Sequence, residues 1–364
     1  MKRVVIKIGS NILASAELGL NSRALRAITK DTSTIIDQGH EVVIVSSGAV
    51  AAGLRKLGLK GKPHDIKLQQ AAAAIGQSSL MWAYEQSFAH FNKKVAQVLL
   101  TRDDIASRHR YINAKNTLFT LMSYSVVPLI NENDPVAVDE MKFGDNDMLA
   151  ALVAGLVEAD VLVILSDVDG LYSKDPSKKD ARIIECVKKV TPEIEDLAGG
   201  SGSTVGTGGM YSKILAAKQA TRHGIPVVIM SGKTRGLLPR LMNGTPAGTY
   251  FEPEPQRMSS RKGWIAYGAR CKGSIYLDDG AVSALTTMGK SLLPSGINKV
   301  EGVFEIGDYI NCVTKEGKTI AKGLTNYSSK DLEQIMGKKT AQIEKILGYK
   351  YSDEVIHRNN LVVV

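Results

Sequence analysis

Six short segments in the first 231 residues are apolar almost throughout: RVVIKI (3–8), EVVIVSS (41–47), KVAQVLL (94–100), SVVPLI (125–130), DVLVILS (160–166) and IPVVIMS (225–231). A strand with one wet face alternates apolar and polar residues. These segments do not alternate, and they are rich in β-branched side chains, so they read as strands buried on both faces. Helical patterns separate them, as over 21–38 and about 66–91. Strands of this kind alternating with helices specify an α/β fold, a parallel-rich open sheet sandwiched by helices. In such a sheet the loops after the carboxyl ends of the strands gather along one edge, and ligands bind there.

The pattern changes near residue 250. A stretch with two prolines and a run of cations leads into short strand-like pieces broken by Gly and Asp, such as GSIYLDDGA and VEGVFEIGDYINCVTKEGKTIAKG. This reads as a second, small β-rich domain, with a barrel as one form it could take. A chain of 364 residues accommodates that division. The expected parts are a large domain over 1–251, a linker over 252–271 and the small domain over 272–364.

Composition excludes several classes. No apolar run reaches the roughly 18 residues of a membrane helix. The N-terminal MKRVVIKIGSNIL is interrupted by Lys7 and reads as a strand rather than a signal peptide. Three cysteines without a CxxC pair argue against a disulfide framework or a zinc site and suit the cytoplasm. The net charge is +9, yet residues 272–364 hold 12 Lys/Arg against 11 Asp/Glu. The basic excess therefore lies in 1–271. That favours anionic small molecules as partners over RNA spread along the tail, although five cations between Arg257 and Lys272 keep RNA binding open.

Against this basic background, NENDPVAVDEMKFGDNDM (131–148) gathers six carboxylates and one lysine after a strand. An acidic loop at a carboxyl edge suits a ligand with a positive charge or a metal ion. Phosphate-binding motifs narrow the rest. Three GK[ST] triplets begin at Gly232, Gly289 and Gly317, but Val227, Ala284 and Cys312 stand where a P-loop needs glycine, and GxGxxG is absent. The remaining Gly-rich run, GSGSTVGTGGMYSKILAA, lets backbone N–H groups approach an anion at a helix start, with Lys213 in the first turn. A cation there opposes the helix dipole unless an anion compensates it; the other reading is a surface loop with a solvated lysine. Lys7, near the end of a buried strand, either enters the ligand crevice or snorkels to water from a sheet edge. Ser47 either offers its hydroxyl to a ligand or caps the next helix.

Taken in order, VVIKIGS, IVSSGAVAAG, INENDPVA, FGDNDMLAALVA, LSDVDGLYSKDP and GTGGMYSKILAA resemble the amino acid kinase family over most of residues 1–250. The tail, clearest at SLLPSGINKVEGVFEIGD, resembles the PUA domain. Within the family, the resemblance is to the branch that uses ATP to phosphorylate the γ-carboxylate of L-glutamate, opening proline biosynthesis. It implies that Lys7 and Lys213 contact the phosphoryl group and that Ser47, Asp134 and Asn146 bind glutamate. It assigns ATP binding to Lys7, Ser166, Asp167, Thr207, Gly208, Gly209, Met210, Tyr211, Ser212 and Lys213. Proline as a feedback inhibitor follows from the family. A homo-oligomer, and a downstream glutamyl phosphate reductase as partner, are further expectations. The chemistry adds that Asp147 orients the two lysines. It also adds that Mg²⁺ travels with ATP, held by phosphate oxygens and water rather than by a protein metal site.

Overall fold

The structure is a computed structural model that describes residues 1–15, 19–59, 65–137, 146–178, 180–199, 209–254 and 271–364. Two compact units divide it, residues 1–105 with 109–257 and residues 258–364 with 106–108. Most of the expected linker, 255–270, lies outside the described residues.

The first unit is built on an eight-stranded sheet. Its strands are β1 (Arg3–Ile8), β2 (Glu41–Ser46), β3 (Lys94–Leu100), β4 (Val126–Glu132), β5 (Val161–Ser166), β6 (Cys186–Val187), β7 (Val227–Ser231) and β8 (Thr249–Phe251). They lie in the order β3-β4-β2-β1-β5-β7-β8-β6. Every pairing from β3 through to β7 is parallel, and β8 runs antiparallel to β7. All six apolar segments of the sequence are strands of this sheet. The short β6 and β8 were not legible as strands, because two or three residues carry no periodicity.

Helices cover both faces: α1 (Ser22–Asp37), α2 (Ala49–Lys56) and α3 (Ile66–Ala89) on one, α5 (Asn146–Leu156) and α6 (Met210–Arg222) on the other, with α4 (Arg108–Ser123) between β3 and β4 in the chain. Successive strand residues feed opposite cores. Val4, Ile6 and Ile8 join Leu25, Ile28 and Tyr84, whereas Val5 joins Leu149, Val153 and Ile214. Each such fully buried side chain contributes about 1.5–3 kcal/mol. The alternation also sends Lys7 to the same face as Val5, toward α5 and α6.

Helices α2 and α3 touch backbone to backbone. A Cβ on Gly53 would lie 1.7 Å from the Ala72 carbonyl oxygen, and one on Gly76 would lie 1.8 Å from that of Ala49. No side chain fits at either position, so both glycines set how closely the helices approach.

The second unit is a five-stranded sheet of β9 (Gly273–Leu277), β10 (Ile297–Gly302), β11 (Tyr309–Val313), β12 (Thr319–Leu324) and β13 (Leu361–Val363), in the order β10-β9-β11-β12-β13. The pairings are antiparallel except β9 with β11. Ile275, Ile310, Cys312, Tyr327 and Leu332 belong to its core. GSIYLDDGA is only partly strand: Asp278 ends β9 and caps the helix Asp279–Thr286, its carboxylate accepting the Ala281 N–H at 2.7 Å. Among the described residues, β10 and β13 are not paired with each other, so the sheet is open at its edges.

Candidate active site

Because β1, β2, β4, β5 and β7 run parallel, their carboxyl ends share one edge of the sheet. Three buried charges meet there. Lys7 from β1 forms an ion pair with Oδ1 of Asp147, the second residue of α5. Lys213 from the first turn of α6 reaches the other oxygen, Oδ2, at 3.1 Å. Ser212 Oγ donates to that same oxygen at 2.9 Å. Lys7 is 2% exposed, Lys213 6% and Asp147 0%. Lys7 therefore does not snorkel to water: its strand lies between β2 and β5, and the ammonium is held inside. Nor is Lys213 a solvated surface lysine. The carboxylate that offsets its unfavourable place at a helix start is Asp147.

A neutral network lies beside the charges. Asn146, at the first position of α5, donates Nδ2 to the Ser46 carbonyl and, at 2.8 Å, to Asn131 Oδ1. Asn131 Nδ2 donates to Gln77 Oε1 at 2.7 Å, which ties β4 to α3. Ser46 Oγ pairs with the Tyr84 hydroxyl at 2.8 Å, and burial pushes that phenol's pKa well up. Ser47 is half-buried and does not cap α2. Gly48 takes that position with φ 109°, a conformation that suits glycine. Asp134 begins a single 3-10 turn, Asp134–Val136, and lines a cavity of about 130 Å³ with Gln77, Glu132, Ala73, Leu99 and Pro135.

The third group follows β5. Ser166 is buried, and Asp167 receives Asn11 Nδ2 at 3.0 Å and Ser166 Oγ at 3.3 Å. Lys233 Nζ donates to the Asp167 carbonyl at 2.9 Å. Partial burial pushes the Asp167 carboxyl up. The hydrogen bonds from Asn11, from its own backbone N–H and from Ser166, with Lys233 close by, outweigh that and hold it below the ordinary carboxylate range. Gly209 caps α6, and Met210, Tyr211 and Ser212 form its first turn. Thr207 and Gly208 lie outside the described residues, as do 138–145 of the acidic loop.

Asn11, Gln77, Asn131 and Lys233 were not singled out from the sequence. Lys233 belongs to a GKT triplet that fails the P-loop spacing, yet it reaches this edge because β7 ends just before it. The usable signal was position after a strand, not the motif.

The comparisons with known proteins agree with this architecture. A model of the amino acid kinase family matches residues 2–231, and one of the PUA domain matches 273–347. The chain belongs to the amino acid kinase family. Over its whole length it is 50% identical to a glutamate 5-kinase of Syntrophotalea carbinolica, covering 97% of that protein. It is 51% identical, again over its whole length, to a glutamate 5-kinase of Geobacter sulfurreducens, covering 98% of it. Among solved structures it resembles a carbamate kinase from Giardia lamblia bound to AMP-PNP. The TM-score is 0.52 at 19% identity, over 70% of this chain and 99% of that one, and the likeness speaks to fold alone.

Proposed function

We propose that the chain transfers the γ-phosphoryl group of ATP to the γ-carboxylate of L-glutamate, giving L-glutamyl 5-phosphate, the first step of proline biosynthesis. The observation that carries this reading is the pair of buried ammonium groups, Lys7 and Lys213, on the two oxygens of Asp147 at the ligand edge of the sheet. The relatives' activity and the full-length identity support the substrate.

The attacking γ-carboxylate has an ordinary pKa of about 4.3 and is ionised at neutral pH, so the reaction needs no general base. The obstacle is repulsion between two anions, together with in-line alignment. Lys7 and Lys213 neutralise the transferring group, and Asp147 fixes where their ammonium groups stand. Ser47, Asp134 and Asn146 hold glutamate, with Asp134 facing its α-ammonium. Ser166, Asp167 and the run Thr207 to Lys213 hold ATP.

Mg²⁺ enters with the nucleotide. Among the described residues no three His, Cys, Asp or Glu side chains converge on a metal position, and Asp147 faces two ammonium groups. Phosphate oxygens and water are its main ligands in this reading.

The acyl phosphate product is labile, which makes a reductase that consumes it promptly, glutamyl phosphate reductase, the natural partner. Proline shares the ammonium and α-carboxylate of glutamate and would inhibit through the same acidic side of the crevice. A homo-oligomer, the domain division at 252–271 and cytoplasmic residence complete the reading; the free Cys186, Cys271 and Cys312 suit that compartment. No helix among the described residues is long and apolar enough to cross a membrane. RNA binding by the tail is the weaker second role, given near-balanced charge over 272–364.

The test is purified protein with Mg·ATP, offered L-glutamate, L-aspartate, N-acetyl-L-glutamate and UMP, with ADP release and hydroxamate formation measured. L-glutamate is expected to give the highest kcat/KM. A higher value for any of the others overturns the substrate.

A further inference from the structure

The amide groups of Asn146, Asn131 and Gln77 form a chain whose polarity two backbone groups dictate. The Ser46 carbonyl can only accept, so the Asn146 atom facing it is Nδ2. The Glu132 N–H can only donate, and it points at Asn131 Oδ1 at 2.9 Å. That same Oδ1 receives the second hydrogen of Asn146 Nδ2. Asn131 is left with Nδ2 to donate, and Gln77 must present Oε1 to receive it. No amide in the chain can be turned over without setting donor against donor or acceptor against acceptor.

Two consequences follow. Both hydrogens of Asn146 Nδ2 are committed to protein acceptors, so the atom left for a ligand is Oδ1, an acceptor. At the far end, Gln77 Nε2 is buried without a hydrogen-bond partner among the described residues, and Gln77 lines the cavity beside Asp134. Gln77 also follows Gly76, where α3 meets α2 at backbone contact, so its position is set by helix packing.

We infer that Asn131, braced by Gln77, is a positioning residue that orients the Asn146 amide so that its oxygen receives the ammonium of the amino-acid substrate. This rests on the reading of the crevice as a glutamate site and deepens it. The chain selects for a free amine, because an acceptor without a hydrogen of its own favours a charged donor over a methylene.

The probe is glutarate, which is glutamate without its amine. Dissociation constants for L-glutamate and glutarate are measured on the full chain, with KM for ATP beside them. The parent is expected to prefer L-glutamate. In Asn131→Ala that preference falls by about tenfold or more, because Asn146 loses the acceptor that orients it. KM for ATP changes by less than about twofold. Asn131→Asp keeps an oxygen for both Asn146 and Glu132 N–H, so it retains the preference. If Asn131→Ala proves unfolded by circular dichroism, Gln77→Leu is read instead, with a fall of about threefold and the same split. An unchanged preference in the folded variant overturns the inference. So does equal weakening of both ligands, or loss in Asn131→Asp as large as in Asn131→Ala. A parent that binds neither ligand defeats the proposed function itself, whereas a parent that prefers L-glutamate with a variant that does so equally defeats only the amide chain.

Discussion

Helix α6 holds a cation at the end where its dipole opposes one, and a neutral imidazole at the end where its dipole would welcome a charge. Lys213 stands in the first turn and His223 caps the last. Both are buried, at 6% and 7% exposed. The dipole alone, typically about 0.3–1 kcal/mol, predicts the reverse arrangement. The environment of each end decides instead. Lys213 meets a carboxylate, Asp147, at 3.1 Å. His223 has the Gln219 amide nitrogen at 3.3 Å, and burial pushes its pKa down to about 4. At His223 desolvation by burial is the cause of that lowering, and it exceeds the dipole's preference for a charge. The charged end of α6 lies at the ligand edge, and the neutral end lies about 15 Å away along the helix axis.

Breaking the charged end should give the largest effect. Asp147→Asn keeps the size of the side chain and removes the charge that two buried ammonium groups share. Loss of one member of a buried ion pair commonly costs about 3–5 kcal/mol. Urea unfolding of this variant should show a destabilisation of that order, with kcat falling at least as far as in either lysine variant. A variant that unfolds like the parent and turns over normally would mean that Asp147 neither holds nor orients the lysines.

Removal of one cation at a time is the next step down. Lys7→Ala and Lys213→Ala should each lower kcat by about 100- to 1000-fold, the usual loss for one electrostatic stabiliser. Affinities for substrates should change less, because the stabilisation grows as charge moves in the transition state. The two variants also sharpen the comparison. If Lys213 serves only as a counter-charge to the buried Asp147, Lys213→Ala will lose stability but keep its kcat, and the charged end of α6 will be structural.

How much of this was legible in the sequence depended on whether a residue had a local signal. The strands that carry the site were visible because burial on both faces leaves continuous apolar runs. Lys7 and Lys213 stood out because a lysine in a buried strand and a lysine in a helix's first turn each violate a local preference. That Asp147 orients both lysines was expected from the chemistry; which oxygen meets which ammonium was not legible, since Asp147 lies 140 residues from Lys7 and 66 from Lys213 in the chain. Gln77 gave no signal: inside QQAAAAIGQSSLM it looks like one more polar residue on a helix surface. Its role depends on a close helix crossing, which Gly53 and Gly76 permit and which no single-helix pattern encodes. Asn11 and Lys233 were missed for a related reason. This edge is assembled from several strand ends rather than from one contiguous loop, so no single motif contains it.

The smallest effect belongs to the neutral end of α6, and it has a definite sign. In the unfolded chain His223 titrates near 6.5, while in the native state burial holds it near 4. Above pH 6.5 both states are neutral there, and the residue contributes nothing to pH dependence. As pH falls from 6.5 toward 4, the unfolded chain takes up a proton that the native state refuses. Stability at this site is therefore lost on acidification, by up to about 1.4 kcal/mol per pH unit, until the native imidazole also titrates. His223→Gln keeps a neutral hydrogen-bonding side chain and removes the titration. Urea unfolding of parent and variant at about pH 7 and about pH 5.5 should show the parent losing about 1.2 kcal/mol more than the variant between the two. Activity near neutral pH should stay close to the parent's, because the substitution lies at the end of α6 that does not face the ligand edge. An equal loss in both proteins would mean that His223 titrates in the native state as it does in the unfolded chain, and a smaller loss in the parent would mean that the native state favours the imidazolium, so that the dipole wins at this end after all.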